Sequence, residues 1–217
     1  MEKALDHLNH AEVQRKFFQT CCNSTGRNLN QILKISLIAF VFLTEKYCLV
    51  LSFDFAQNVH FLSSFLQVGS LYFKAARKCA IFGIHNERTR IQTNFLIDEA
   101  DNIGKGPNCV VSLIHHYLEK IEFPVSKIFL FADNCVGQNK NNTVFDYLQW
   151  RVLNKKNDQI YYNFLLTGHT KFSPDRMVGL FKSRFAKTCI DNCDDLLECV
   201  AKSSCNGCNK VIPITKN

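Results

Sequence analysis

Long apolar runs are the first thing this 217-residue sequence lacks. The best membrane candidate, "ISLIAFVFL" at residues 35–43, is too short to cross a bilayer before Glu45 and Lys46 interrupt it, so a buried strand or helix is expected there and no membrane partner. A secretory leader is missing too: "MEKALDHLNHAEVQRKFF" mixes charged and apolar residues from its second position and offers no apolar h-region. The chain is therefore expected inside the cell, nuclear or cytoplasmic, where the N-x-[ST] sequons at Asn23 and Asn141 carry no glycosylation reading. No G-x-x-x-x-G-K-[ST] loop exists, since "DNIGKGPN" has neither the spacing nor a Ser or Thr after Lys105; this excludes a nucleotide cofactor cradled in that way. Without that loop, "DEAD" at residues 98–101 is no helicase motif and reads either as a turn-forming cluster or as the source of an auxiliary acid. Internal repeats and low-complexity linkers are also absent.

What is present suits a packed core. Hydrophobic residues make up 47% and aromatics 12% of the chain, enough for one domain of ordinary or slightly large size. A formal charge of +7 permits a polyanionic partner such as nucleic acid without demanding one. Eleven cysteines, an odd number, in a reducing compartment read as buried small hydrophobes or metal ligands rather than disulfides. Cys205 and Cys208 form a C-x-x-C knuckle with Cys189 and Cys193 upstream, but the other tail spacings do not repeat it and no His follows. Structural Zn²⁺ at those four positions is not expected.

Periodicity gives the element order. An amphipathic helix is predicted over residues 1–22, with Ala4, Leu8, Ala11 and Phe18 on one stripe. "CNSTGRNLN" reads as a loop, "YCLVLSFDFAQ" as a buried strand arriving at Asp54, and "FLSSFLQVGSLYF" as irregular. "KCAIFGIHNE" and "RIQTNFLIDEA" form a hairpin turning near Arg88. A helix follows, with Pro107 in its first turn and Val110, Leu113, Ile114, Tyr117 and Leu118 inward. The strand "KIFLFA", the helix "TVFDYLQWRVL" with Val144, Phe145, Leu148 and Val152 buried, and the strand "QIYYNFLLT" come next. "SPDRMVGLFKSRFAK" starts the last helix with a Ser cap, Pro at the first position and an acid in the first turn. The order βββαβαβα after an N-terminal helical arm is that of an α/β, ribonuclease H-like fold with a mixed five-stranded sheet, in which the first and fourth strands are neighbours. The expected divisions are an arm and apolar lead-in at 1–46, a catalytic-type domain at 47–188 and a Cys-rich tail at 189–217.

Two acids, Asp54 and Asp133, each end an apolar strand, and that fold would bring them out side by side. Adjacent carboxylates repel one another and lose hydration, so the pairing makes sense mainly with cations between them. Two Mg²⁺ or Mn²⁺ ions about 4 Å apart could clamp an in-line displacement at phosphorus. Asp175, at the start of the last helix where the dipole favours a carboxylate, is the third acid. Asp54, Asp133 and Asp175 are thus the expected metal ligands and catalytic residues, although each also has an ordinary reading as a turn former, cap or first-turn acid.

Around Asp133 lie Asn134, Gln138, Asn139 and Asn141, which can hydrogen-bond phosphate oxygens, base edges, metal-bound water or the loop's own backbone. Gly137 is expected to let the backbone turn, and Lys140 offers a point charge for a phosphate. His169 is either a proton shuttle that completes the catalytic set or a structural hydrogen-bonder. Lys171, Arg176, Lys182, Arg184 and Lys187, with Arg77 and Lys78, either track a phosphodiester backbone or simply solubilise their surface.

The blocks "LSFDFAQNVHF", "LYFKAARKCAIFG", "NFLIDEADNIGKGPNCVVSLIHHYL", "FADNCVGQNKNNTVFDYLQWRV" and "GHTKFSPDRMVGLFK" resemble an uncharacterised animal domain family of unknown function found in large transposon-derived proteins. The resemblance runs from about Leu51 to Lys187 and implies a ribonuclease H-like, transposase-type catalytic domain. It implies that Asp54, Asp133 and Asp175 match the family's acidic positions, and His169, Asn134, Gln138 and Asn139 its accompanying polar ones. "FLSSFLQVGS" lacks the prolines that tend to follow the first acid in the family, and residues 27–50 and the Cys-rich tail match it poorly. Together with the near absence of an upstream DNA-binding segment, this implies a truncated or domesticated copy.

The function expected is a metal-dependent nuclease or transposase-like domain using the Asp triad on DNA, or on RNA. The alternative is a catalytically idle nucleic-acid- or protein-binding module of the same fold. A proofreading-type exonuclease fits less well, because such enzymes carry D-x-E on the first strand and "DFAQ" has no second acid.

Overall fold

A computed structural model of the chain describes residues 2–24, 48–61, 76–101, 104–166 and 172–215, the side chains of residues 2–8, 23 and 24 excepted. The apolar run at 35–43, the irregular stretch after the first acid, His169 and Lys171 lie outside the described residues. The elements are α1 (Glu2–Ser24), β1 (Cys48–Phe55), β2 (Val59–His60), β3 (Lys78–Asn86), β4 (Ile91–Asp98), a 3-10 turn (Glu99–Asp101), α2 (Pro107–Glu119), β5 (Lys127–Ala132), α3 (Asn142–Leu153), β6 (Gln159–Phe164), α4 (Ser173–Phe185), α5 (Cys193–Ala201) and β7 (Asn209–Ile214). The class is α/β, and the strands and helices expected within the described residues are present.

Among the described residues the sheet has seven strands where five were expected, in the order β6-β5-β1-β3-β4-β7 with β2 paired to β3. The first and fourth expected strands are parallel neighbours, Cys48 opposite Lys127 through Ser52 opposite Phe131. β6 continues parallel beside β5. The unforeseen full-length strand is β7, drawn from the Cys-rich tail and parallel to β4 from Gln92–Asn209 to Ile97–Ile214. Its Pro213 argues against a strand in local sequence; at a sheet edge the missing N–H is tolerated. No helix among the described residues is long and apolar enough to cross a membrane.

Two compact units interleave along the chain: Met1–Ser52 with Asn86–Thr89 and Lys105–Thr170, and Phe53–His85 with Arg90–Gly104 and Lys171–Asn217. In the first, the apolar runs of β1 and β5 are buried along their length, and α2 turns Cys109, Val110, Leu113, Ile114 and Leu118 inward. α1 packs by its 11/14/18/21 stripe: Ala11 and Cys21 are buried, Gln14 Oε1 accepts from the Leu166 N–H at 3.1 Å, and the Phe18 ring meets Phe131 edge-on at 4.8 Å. Burial pushes the Cys21 thiol up to about 12, with Cys48 adding to the shift, and burial alone takes Cys109 up to about 11. These cysteines are unreactive core residues at neutral pH.

α3 departs from expectation. Its buried face is Val144, Leu148 and Arg151, whereas Phe145, expected inside, is 61% exposed and Val152 also faces outward. Both stripes have helical spacing, and they differ by one residue of rotation. The choice was made by Arg151, whose Nε donates to Asn157 Oδ1 at 2.8 Å and whose Nη1 donates to Glu119 Oε1 at 2.9 Å and to the Tyr147 hydroxyl at 3.1 Å.

In the second unit Val59, Phe61, Cys79, Ile81, Leu96, Phe181, Ile190, Leu196, Cys199 and Val200 form one apolar cluster, so the tail supplies part of that core. Beside it runs a buried chain of amides. Gln92 Nε2 donates to Asn94 Oδ1 at 2.8 Å, Asn94 Nδ2 donates to Asn209 Oδ1 at 3.3 Å, and Asn209 Nδ2 donates to Ser203 Oγ at 2.6 Å. A Cβ on Gly83 would lie 2.7 Å from Gln92 Nε2, so glycine there is required by close approach. Gly83→Ala is expected to cost about 1–3 kcal/mol through overpacking of this chain. Urea unfolding checks it, and an unchanged midpoint would show that Gln92 can step aside.

Candidate functional site

The Asn-rich loop that follows β5 is organised around one carbonyl and one carboxylate. The Cys135 carbonyl accepts from the N–H groups of Gln138 (3.3 Å), Asn139 (2.8 Å) and Lys140 (2.9 Å), closing the chain into a tight turn. Gly137 in that turn has no positive φ, and a Cβ there would meet nothing within 4 Å. The turn therefore does not depend on glycine, contrary to the expectation from sequence. Asn141 ends the loop as the N-cap of α3: its Oδ1 accepts from the Val144 N–H at 3.1 Å, and its Nδ2 donates to Val136 O (3.3 Å) and Gln138 O (3.0 Å). Asn141→Ala is expected to destabilise the fold by about 1 kcal/mol, the usual value of such a cap, and a thermal melt checks it.

Asp133 is half-buried, and its Oδ1 accepts two hydrogen bonds, from the Cys135 N–H at 3.2 Å and from Asn139 Nδ2 at 2.5 Å. Its Oδ2 accepts none from the described residues. Asn139 is 1% exposed, so it cannot reach a phosphate as expected from sequence; its amide is committed to Asp133 and its carbonyl accepts from the Tyr162 hydroxyl at 2.9 Å. Burial first, and the Asp133 carboxylate second, push the Tyr162 phenol well above its ordinary range and keep it a donor. Two amide oxygens, Asn134 Oδ1 and Asn139 Oδ1, are buried without a hydrogen-bond partner among the described residues. Lys140 is exposed, its ammonium 5.5 Å from the centre of the Phe164 ring. Tyr162 had no signal in sequence, because its role depends on the register of β6 beside β5.

In the other unit, Asp54 is half-buried near the end of β1, with Oδ1 accepting from the Phe55 N–H at 2.8 Å. Asp175 is exposed in the first turn of α4, and its Oδ2 accepts from the Phe172 N–H at 3.4 Å. The N-cap position is Phe172, one residue before the expected Ser173, so Pro174 falls second in the helix. Arg176 is exposed. The acids of "DEAD" serve their own turn: Asp98 Oδ1 accepts from Arg77 Nε at 2.7 Å and from the Ala100 N–H at 3.1 Å, while Glu99 Oε2 accepts from the Lys78 N–H at 3.0 Å. The Arg77 guanidinium is accordingly held above its usual range by Asp98. Among the described residues no group of three or more His, Cys, Asp or Glu side chains is gathered to hold a metal, and the side chain bonded to Asp133 is the Asn139 amide. All eleven cysteines are free thiols.

Residues 74–215 match the family model of a domain of unknown function, DUF7869. That stretch takes in Asp133, Asp175 and the Cys-rich tail, which the sequence resemblance had set apart, and begins after Asp54. No curated protein matches the chain.

Proposed function

We propose that this chain, which belongs to the DUF7869 family of domains of unknown function, is a ribonuclease H-like, divalent-cation-dependent nuclease or transposase-type domain acting on DNA phosphodiester bonds. The observation that carries the reading is the half-saturated state of Asp133. One carboxylate oxygen is fixed by two donors, the other accepts none from the described residues, and two amide oxygens close by in the chain are buried without donors among those residues. Such a set of hard oxygens suits Mg²⁺ or Mn²⁺ with its water, since metal-bound water brings the donors that the amides lack. When bound, the cation would activate the attacking water and neutralise charge on the departing oxygen.

The strand order supports the same reading. The parallel pairing of β1 with β5, Cys48 opposite Lys127 through Ser52 opposite Phe131, is the one that a ribonuclease H-like fold requires of its first and fourth strands. The acid pattern of the sequence adds Asp175 as the third carboxylate and His169 as the group that moves a proton. Exposed Lys140 and Arg176, on a chain of formal charge +7, offer contacts to phosphate. One observation favours the idle binding module instead: the Asp175 carboxylate already serves its own helix start, as any first-turn acid would.

The test is cleavage of labelled DNA by the purified chain with Mn²⁺ or Mg²⁺, with EDTA as control, beside Asp133→Asn. Cleavage that needs the cation and disappears in the variant is the expected result. DNA binding with no cleavage in either protein would favour the idle module, and equal cleavage in both would remove Asp133 from the chemistry.

A further inference from the structure

The sequence groups Asn139 with residues that contact nucleic acid, and the structure gives it a different task. Its side chain is buried, its Nδ2 donates to Asp133 Oδ1 at 2.5 Å, and its backbone is fixed at both ends: the N–H donates to Cys135 O at 2.8 Å and the carbonyl accepts from the Tyr162 hydroxyl at 2.9 Å. We infer that Asn139 is the positioning residue of Asp133, holding the carboxylate with Oδ1 occupied so that Oδ2 alone is presented to a divalent cation. The inference rests on the proposed metal role of Asp133 and adds a specific claim to it. Binding strength at this carboxylate is set by an amide that itself touches neither cation nor nucleic acid through its nitrogen.

The physical case is one of entropy and direction. An aspartate beyond a strand end rotates about two side-chain bonds, and a ligand oxygen that must be frozen on binding binds more weakly than one already held. A donor from Cys135 alone, at 3.2 Å, holds Oδ1 loosely; the buried Asn139 amide supplies the shorter contact. Asn139 Oδ1 and Asn134 Oδ1, buried without partners among the described residues, are left with acceptor capacity that water on a cation could fill. Their presence explains why a buried amide, rather than a lysine, does the holding. A lysine would neutralise the carboxylate and provide no acceptor.

The experiment measures Mn²⁺ affinity of the whole chain by electron paramagnetic resonance, with no DNA and no turnover. Asp133→Asn is expected to abolish the tight site, and Asn139→Ala to weaken it on the order of 10-fold or more, as loss of a group that orients a metal ligand commonly does. Asn141→Ala, which loosens the same loop at its cap without touching Asp133, controls for general loop damage and is expected to bind Mn²⁺ within about twofold of the original chain. Should Asn139→Ala fail to fold, Tyr162→Phe decides: it removes only the hydroxyl that fixes the Asn139 carbonyl, and a few-fold weaker binding supports the assignment. If Asp133→Asn loses the site while Asn139→Ala, or Tyr162→Phe in its place, binds as the original does, the positioning role is overturned and the metal role of Asp133 stands. Equal weakening in Asn139→Ala and Asn141→Ala also overturns it. An original chain that binds no Mn²⁺, or an Asp133→Asn that binds it unchanged, removes both.

Discussion

Arg151→Ala should lower the unfolding free energy by about 3 kcal/mol, because it breaks a nearly buried charge out of a network whose other members stay behind. Arg151 is 4% exposed. Its removal strands Asn157 Oδ1, which is buried and accepts from Arg151 Nε at 2.8 Å, and leaves the Tyr147 hydroxyl with His115 Nδ1 at 3.2 Å. Glu119 suffers less, since it is about two-fifths exposed and keeps Lys156 at 2.9 Å. For that reason the value expected is at the low end of what a fully buried pair would show. Arg151→Lys cannot reproduce the forked donor set and should fall between the two. Urea unfolding of the three proteins measures the series; an alanine variant within about 0.5 kcal/mol of the original would mean that packing alone orients α3.

The same network makes a pH statement. The Glu119 carboxyl is held below its ordinary range chiefly by Lys156; burial opposes this, and Arg151 adds a further lowering. A depressed folded-state value means that the unfolded chain takes up its proton first. The contribution is therefore complete above the ordinary carboxylate range and disappears as pH falls through it to Glu119's lower value. In Arg151→Ala part of that acid sensitivity should be lost, since Lys156 remains.

Asp133→Asn should reduce metal-dependent cleavage by at least about 100-fold, near 3 kcal/mol of transition-state stabilisation, while leaving the melting temperature almost unchanged. The two halves of that expectation come from the two oxygens. An asparagine can keep its Oδ1 where Cys135 N–H and Asn139 Nδ2 already donate, so the loop retains its internal bonds. At the position of Oδ2 it presents an N–H₂ group, which repels a cation and ligates nothing. A collapse in stability would mean that the negative charge itself holds the loop, and full activity in a stable variant would detach this carboxylate from any chemistry. Single substitutions of Asp54 and Asp175, assayed in the same way, report separately whether those acids take part.

Much of this architecture is legible in the order of the residues. β1 and β5 are apolar runs with an acid just inside or beyond their ends, α2 has its proline and its stripe, and the hairpin turn is held by Asn86, whose Oδ1 accepts from the Arg88 and Thr89 N–H groups at 3.0 and 3.2 Å. The parallel pairing of β1 with β5 followed from element order alone. Less legible is the division of labour inside the Asn-rich loop. Four asparagines and a glutamine look alike as letters, yet Asn141 became a cap, Asn139 a buried clamp, and Asn134 the owner of a buried oxygen without a partner among the described residues.

Composition and periodicity by themselves determined α1, β1, β3 to β6 and α2 to α4, their order and the positions at which the acids leave the strands, because those depend on interactions among near neighbours in the chain. Tertiary structure alone decided three things: which of two adjacent stripes α3 buries, whether "NKVIPI" is a strand, and which amide serves Asp133. In each case the deciding partner is distant in sequence. Glu119 lies 32 residues from Arg151, Asn94 lies 115 from Asn209, and Tyr162 lies 23 from Asn139. A polar side chain is worth burying only when such a partner arrives, and nothing in its own segment announces the arrival.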